Sequence, residues 1–275
     1  MAENDSVTAL EAVSCLIEEA LADSGGRLVV LGLCGAQGSG KSTLAAGLKQ
    51  GFERSGVPTA LLSIDDLYRT RAEREALART VHPLLRTRGV PGTHDIAIGI
   101  DAIARLDRGE PALLPRFDKG ADDRLPESGW QRAEAGTRLL LLEGWCVGAR
   151  PQQAAALAEP INALEREEDA QGVWRHFAND ALAGSYQALF GRIDRLVLLA
   201  APSFDVVLRW RAEQEEALRR SVPGGDGVMT DAALARFVQH YERLTRHILA
   251  EMPGRADLVI ELGEDRAVRG LRRGS

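Results

Sequence analysis

Residues 35–43 read GAQGSGKST, and this segment constrains the fold of the chain more than any other. The spacing from Gly35 through Gly40 to Lys41 and Ser42 is that of a Walker A loop, which binds the phosphate groups of a nucleotide. Its glycines let backbone N–H groups approach phosphate oxygens where a Cβ atom would block them. Such a loop lies between a buried strand and the N-terminus of a helix.

Both flanking elements are visible in the sequence. Residues 28–34 (LVVLGLC) form a short apolar run typical of a buried strand, and residues 42–48 begin a helical pattern. The N-terminus of that helix is a favourable place for an anion. The residues predicted to bind ATP are Gly35, Ala36, Gln37, Gly38, Ser39, Gly40, Lys41, Ser42 and Thr43.

Four further apolar runs predict the rest of a central sheet. They cover residues 58–64, 138–144, 196–199 and 258–262, and helical stretches separate them. Runs that are almost free of polar alternation are typical of parallel strands covered on both faces. We therefore predict an α/β fold, a P-loop NTPase three-layer sandwich with a mostly parallel sheet of about five strands. Residues 84–95 and 109–137 are expected to be long loops.

Length and composition fit a single P-loop domain over residues 1–275, with an N-terminal helix in residues 1–25. The net charge of −6 and the sequence pI near 5.5 argue against a general nucleic-acid binder. No apolar run approaches the roughly 20 residues that cross a bilayer, and the first residues are acidic rather than basic. We expect a cytoplasmic protein without a membrane or nucleic-acid partner. The sequence does not predict the oligomeric state.

Acidic residues follow two of the predicted strands. Asp65 and Asp66 end the second strand, and Glu143 follows four leucines in the third. Ligands of open α/β sheets gather at the carboxyl ends of the strands. One aspartate is therefore a candidate base for an attacking hydroxyl group, although the pair also suits the cap of the next helix. Glu143 occupies the place of a Walker B carboxylate, and Glu143 and Ser42 are the predicted Mg²⁺ ligands.

Two segments between these strands carry arginines. Residues 86–95 (RTRGVPGTHD) and 115–119 (PRFDK) present guanidinium groups that suit a small carboxylate or phosphate. Each of these arginines could equally be a solvent-exposed residue without a ligand. His94 could equally be a structural residue that forms hydrogen bonds within the protein or a residue that contacts the substrate. The residues predicted to bind the molecule that carries the attacking hydroxyl group, the acceptor, are Asp65, Tyr68, Arg86, Arg88, His94, Arg116 and Asp118.

The strings SIDDLY, HPLLRTRGVPGTHD, PRFDK, LLLEGWCVGARP and FVQHYERLTRH together resemble the D-glycerate 3-kinase family and its bacterial kinase-like members. These are P-loop kinases related to pantothenate kinase, uridine kinase and phosphoribulokinase. The resemblance covers about residues 28–262. It implies ATP- and Mg²⁺-dependent phosphorylation of a small hydroxy acid, with Lys41, Asp65 and Glu143 as the catalytic residues. Leu67 stands where the family often has phenylalanine, a change expected in the wall of the substrate pocket.

The choice between Asp65 and Asp66 follows from strand geometry and from this resemblance. Successive side chains of a strand point to opposite faces, so only one of the two carboxylates can face the phosphoryl group if the strand continues through them. The resemblance favours Asp65 as the base. Asp66 is then left to the following turn.

A lid is expected at about residues 203–228. Its helical pattern carries Arg209, Arg211, Arg219 and Arg220, and the glycines at 224–227 end it. Such a segment closes over the nucleotide and brings an arginine to the transferred phosphoryl group, but a surface helix explains each arginine equally well.

Phosphorylation of D-glycerate is the main functional hypothesis. Two other hypotheses stay open. The first is a P-loop kinase for a pantothenate-, nucleoside- or sugar-like acceptor, and the second is a non-catalytic ATP-binding module that regulates a partner.

Overall fold

The computed structural model describes residues 2–221 and 230–274. Within that part of the chain the strands are β1 (Val29–Gly35), β2 (Thr59–Ser63), β3 (Ala112–Leu114), β4 (Phe117–Asp118), β5 (Asp123–Arg124), β6 (Gln131–Ala133), β7 (Leu139–Gly144), β8 (Arg195–Ala200), β9 (Leu258–Leu262) and β10 (Val268–Arg273). The α-helices are α1 (Ala2–Asp23), α2 (Lys41–Arg54), α3 (Arg71–Thr80), α4 (Ile96–Asp107), α5 (Ala163–Glu168), α6 (Val173–Ala181), α7 (Gln187–Phe190), α8 (Asp205–Ser221) and α9 (Asp231–Glu251).

Six of these strands form the central sheet, in the order β10-β9-β8-β1-β7-β2. All neighbours are parallel except β10, which pairs antiparallel with β9 at the edge. The predicted mostly parallel α/β sheet is confirmed, and the five predicted strands are all present. The sixth strand, β10, reads VRGLRR and is mostly exposed, so it leaves no apolar run in the sequence.

Apolar side chains cover both faces of the sheet, as the strand sequences require. Every residue of β1 and of β7 is buried, so neither strand shows the alternation of a half-exposed one. On one face Val30 packs in a layer that includes Ile103 of α4. On the other face Leu31 packs with Ile17 of α1 and Leu48 of α2. The result is the predicted three-layer sandwich.

The parallel register brings three strand ends to one edge of the sheet. Glu143 of β7 lies opposite Leu33 of β1 on one side and opposite Ser63 of β2 on the other. The end of β1 at Gly35 and the end of β2 at Ser63 therefore flank Glu143. This edge carries the candidate site.

The two predicted long loops contain more structure than expected. Residues 83–86 form a 3-10 turn, and the segment from 109 to 137 contains two small antiparallel pairs, β3 with β6 and β4 with β5. Strands of two or three residues are too short to show periodicity, which explains why no sequence pattern indicates them.

Of the predicted lid, residues 205–221 form α8, and residues 222–228 lie outside the described part of the chain. None of the described helices is long and apolar enough to cross a bilayer.

A buried ion pair attaches α5 and the segment before it to α9. The Arg243 guanidinium donates to both carboxylate oxygens of the fully buried Glu165, with Nη2 2.6 Å from Oε2 and Nε 2.8 Å from Oε1. Nη1 donates to the carbonyl oxygen of Ala156 at 2.6 Å, and Nη2 also donates to the carbonyl oxygen of Glu159 at 2.7 Å. Every nitrogen of the guanidinium thus has a partner, as a buried charge requires.

We expect Glu165→Ala to lower the free energy of unfolding by about 3–5 kcal/mol, because it leaves the Arg243 charge buried and unpaired. The matched control is Glu168→Ala, which removes the exposed partner of Arg236. That change should cost at most about 1 kcal/mol. Urea unfolding of both variants measures the difference, and equal losses would show that burial of the first pair has no special weight.

Candidate active site

The loop after β1 adopts the conformation that its glycines permit. Gly38 and Gly40 have φ angles of 81° and 86°, in the left-handed region that disfavours other residues. A Cβ atom on Gly38 would lie only 2.7 Å from Cβ of Trp210 in α8. Gly40 is the N-cap of α2, so Lys41 begins the helix directly after the loop. The backbone N–H groups of this turn are thus presented at the N-terminus of a helix, where anions bind.

Ser42 and Glu143 lie together beside the loop. The Ser42 hydroxyl donates to Glu143 Oε1 at 3.2 Å. Glu143 is buried, and its Oε2 atom has no hydrogen-bond partner among the described residues. A buried carboxylate oxygen without a partner is costly unless a cation or a donor satisfies it. The residues present therefore fit a Mg²⁺ ion held by a hydroxyl and a carboxylate oxygen.

Asp65 lies in a 3-10 turn, Ile64–Leu67, rather than in the strand. Tyr68 Oη donates to its Oδ1 atom at 2.9 Å, and Lys119 Nζ lies 2.6 Å from its Oδ2 atom. Burial raises the pKa of Asp65, but the nearby ammonium groups of Lys119 and Lys41 lower it by more. The pKa therefore lies below its ordinary value, and the carboxylate is ionised at neutral pH. Burial also raises the pKa of Tyr68, so its hydroxyl stays protonated and donates.

Asp66 points away from Asp65, because a 3-10 turn has roughly three residues per turn and separates neighbouring side chains. Its Oδ2 atom accepts from Arg116 Nη1 at 2.9 Å, and its Oδ1 atom accepts from the backbone N–H of Phe117 at 3.1 Å. Burial raises the pKa of Asp66, and Arg116 offsets this only in part. Asp66 thus holds the β4 segment against the 3-10 turn through these two hydrogen bonds.

One cleft of about 280 Å³ brings most of these groups together. Its lining residues come from the phosphate-binding loop, the ends of β2 and β7, the β4–β5 turn, α8 and α9. They are Gln37, Gly38, Lys41, Ser42, Ser63, Asp65, Tyr68, Arg88, Lys119, Glu143, Arg211, Phe237 and Tyr241. The cleft therefore places Lys41, Ser42, Asp65 and Glu143, the predicted catalytic and metal-binding residues, around one space.

A second cavity of about 430 Å³ adjoins the loop at Ser39 and Gly40. Its walls are mainly apolar and include Leu10 of α1, Leu44 of α2 and Val268 of β10. On this side Arg266 donates from Nε to the carbonyl oxygen of Gly38 at 2.8 Å and lies over the Trp210 ring. The phosphate-binding loop thus separates an apolar cavity from a polar cleft.

Four residues predicted to bind the acceptor do not line the cleft. Arg116 is held by Asp66, and Asp118 Oδ1 accepts from the N–H groups of Gly120 and Ala121 in the β4–β5 turn. Arg86 is exposed outside the cleft. That these three residues contact the substrate stays a prediction, and their positions outside the cleft argue against it.

His94, the fourth, is buried behind Tyr68. The two rings stack with centroids 4.4 Å apart, and His94 Nδ1 lies 2.5 Å from Tyr186 Oη. His94 therefore supports Tyr68 from behind. Leu67 is also fully buried and lies against Gly99 of α4, so it belongs to the core and not to the wall of the pocket.

Sequence reasoning did not single out Lys119 or assign Tyr241 to the site. Tyr241 Oη donates to the carbonyl oxygen of Arg88 at 3.2 Å, and a Cβ atom on Gly89 would lie 2.2 Å from the same hydroxyl. The signal for Lys119 was its position in the string PRFDK, two residues after Phe117, whose backbone N–H donates to Asp66. Only the short β4–β5 pair brings it opposite Asp65.

Comparison with known proteins identifies relatives of the chain. No protein-family model matches it. It is 37% identical over 227 residues to the uncharacterized kinase mug58 of Schizosaccharomyces pombe, a match that covers 78% of this chain and 79% of that protein. It is 29% identical over 257 residues to the chloroplastic D-glycerate 3-kinase of Arabidopsis thaliana, which covers 86% of this chain but only 53% of the plant protein.

A solved structure of D-glycerate 3-kinase from Cryptococcus neoformans has the same fold, with a TM-score of 0.81 at 24% identity over 96% of this chain and 99% of that one. The parallel sheet with the phosphate-binding loop at its edge is a P-loop fold, and the mug58 relative defines the class within it, a kinase. The chain belongs to the same family as that kinase. It is thus a phosphotransferase.

The buried His94 makes stability depend on pH. Burial lowers its pKa to about 3 from an ordinary value of 6.5. Below pH 6.5 the histidine is therefore protonated in the unfolded chain but neutral in the folded protein, so the free energy of unfolding falls as the pH falls. The limiting slope for one such group is about 1.4 kcal/mol per pH unit.

We expect His94→Gln to lower the free energy of unfolding at pH 7, because the contacts of the imidazole are lost. Between pH 6.5 and 4.5, however, the free energy of unfolding of the variant should fall less than that of the wild type. Urea unfolding over this pH range measures both effects. His176→Gln, at an exposed position, is the matched control and should leave the curve unchanged. An unchanged slope in His94→Gln would mean that His94 is not the group responsible.

Proposed function

We propose that the protein transfers the γ-phosphoryl group of ATP to a hydroxyl group of D-glycerate. The observation that carries the proposal is the 280 Å³ cleft, which combines Lys41 and Ser42 of the loop with Asp65, Glu143 and the cationic side chain of Lys119. The first four groups suit phosphoryl transfer, and the last suits an acceptor with a negative charge. The names of the plant and fungal relatives support the same acceptor.

The nucleotide would span the loop. Backbone N–H groups of residues 35–43 and the Lys41 ammonium would hold the β- and γ-phosphates, with Thr43 at the side of the apolar cavity. That cavity offers apolar walls to the base and ribose of ATP. Ser42 Oγ and the unpartnered Oε2 atom of Glu143 would hold Mg²⁺, which neutralises charge on the phosphate oxygens when bound.

Asp65 would act as the general base. The acceptor hydroxyl oxygen attacks the γ-phosphorus, its proton passes to Asp65, and the bond from the γ-phosphorus to the β,γ-bridging oxygen breaks to release ADP. Tyr68 holds the other carboxylate oxygen and so fixes the orientation of the base. Arg211 of α8 lines the same cleft and would stabilise charge on the transferred group.

The dimensions and charge of the cleft favour a short anionic acceptor. About 280 Å³ leaves room for a phosphoryl group and a molecule of a few heavy atoms, and its lining is largely polar. A pantothenate- or nucleoside-like acceptor calls for a longer pocket with apolar walls. The apolar cavity meets the cleft only across the phosphate-binding loop, so it suits the donor better than the acceptor.

A coupled assay of ADP release tests the proposal. ATP, Mg²⁺ and the full chain are incubated with D-glycerate, L-glycerate, glycerol, pantothenate, uridine and ribose in turn. We expect D-glycerate to give the highest kcat/KM. Stimulation by another acceptor alone would exclude D-glycerate but not kinase activity, whereas ATP binding without stimulation by any acceptor would favour the regulatory module.

Asp65→Asn and Asp66→Asn separate chemistry from structure. Removal of a general base costs about two to four orders of magnitude in rate, so Asp65→Asn should lower kcat to that extent while the Kd for ATP changes by a few-fold at most. Asp66→Asn should lower the unfolding temperature, because it weakens the contacts with Arg116 and Phe117, and should reduce kcat only modestly. Steady-state kinetics and ATP titration decide, and the reverse pattern would assign the base to Asp66.

A further inference from the structure

Lys119 is an exposed cation that faces the proposed base. It lies in the turn between β4 and β5, and its side chain is 61% exposed although its Nζ atom lies 2.6 Å from Asp65 Oδ2. The 34 basic residues of the chain include only three lysines, Lys41, Lys49 and Lys119. Two of these three line the cleft.

The backbone around Lys119 is fixed. The buried Arg74 donates from Nη2 to the carbonyl oxygen of Asp122 at 2.6 Å and pairs with the Asp122 carboxylate at 3.0 Å. Asp118 Oδ1 accepts from two backbone N–H groups of the turn. The backbone of the turn is thus held at both ends. The long side chain of Lys119 can still exchange its ion-pair partner.

Both carboxylate oxygens of Asp65 have partners. Tyr68, which holds Oδ1, is buried and stacked on His94, so it has little freedom to leave. Lys119, which holds Oδ2, is exposed, and its long aliphatic stem lets the ammonium group move. For Oδ2 to accept a proton from an acceptor hydroxyl, the Lys119 ammonium must move away from it.

We propose that Lys119 recognises the negative charge of the acceptor: its carboxylate replaces Asp65 as the ion-pair partner of Lys119, and this exchange frees Asp65 Oδ2 for the hydroxyl proton. An acceptor without a negative charge cannot draw the ammonium away and leaves the base occupied. The inference rests on the proposed function and adds the residue that selects an acidic acceptor.

Arg88, the other cation on this side of the cleft, is less suited to the task. It already pairs with Asp122 and lies over the Phe117 ring at 5.5 Å. Those contacts make it part of the support of the turn. A lysine ammonium is a compact charge on a flexible stem, and so it exchanges partners more readily than a stacked guanidinium.

The test compares charged and neutral acceptors. Kinetic constants of the wild type and of Lys119→Met are measured with D-glycerate, methyl D-glycerate and glycerol. We expect the wild type to prefer D-glycerate, and Lys119→Met to lose roughly 10- to 100-fold in kcat/KM for D-glycerate, the range of a charged hydrogen bond. With the two neutral acceptors, kcat/KM should rise, because the substitution removes the ammonium group that occupies Asp65 Oδ2, and the KM for ATP should not change.

Lys119→Arg retains the charge and should restore part of the preference for D-glycerate. Lys49→Met, a change on α2 away from the cleft, is the matched control and should behave as the wild type. Equal losses with charged and neutral acceptors, or an unchanged preference in Lys119→Met, would overturn the inference while the proposed function stands. A wild type without activity on D-glycerate would instead overturn the proposed function, and the inference with it.

Discussion

The parallel register of β1, β2 and β7 is the constraint on which the site depends. Because Glu143 lies between Leu33 and Ser63, the phosphate-binding loop, the acidic turn and the buried carboxylate all emerge at one edge of the sheet. A shift of one residue in β7 would turn Glu143 to the opposite face and put Leu142 or Gly144 in its place. The four consecutive buried leucines of β7 oppose such a shift only weakly, because each would be replaced by another leucine at most positions. The polar contact between Glu143 and Ser42 distinguishes the register.

Charge is distributed unevenly around this edge. The Asp66, Asp122 and Glu165 carboxylates are each matched by arginines that also contact backbone groups, and these pairs fasten surface segments to the sheet. In the cleft the pairing is incomplete. Glu143 Oε2 has no partner among the described residues, and Asp65 is paired with an exposed lysine. Unsatisfied polar atoms are costly in a fold and are expected where a ligand completes them.

The sequence predicted the sheet well because buried parallel strands leave continuous apolar runs. It missed β10, which is mostly exposed and contains three arginines, and the β4–β5 pair, whose strands have two residues each. Lys41 and Ser42 were identified from the Walker A spacing, and Asp65 and Glu143 from strand ends together with the family resemblance; the structure brings all four into one cleft. Lys119 lies far from Asp65 in sequence, and no local pattern reports a contact across 54 residues. The burial of His94 left no signal either, because a polar residue in an irregular segment has no periodicity.

Different elements carry the two tasks that a kinase of this family performs. The groups that would act on the phosphates, Lys41, Ser42 and Glu143, belong to α2 and β7, which pack in the core. The cation that faces Asp65 belongs to a short turn that is attached to the sheet through Arg74 and Asp66. A change in that turn leaves the register of the sheet untouched, whereas a change at Glu143 does not. If Lys119 selects the acceptor as proposed, substitutions in the β4–β5 turn change the acceptor while the phosphate-binding geometry stays the same.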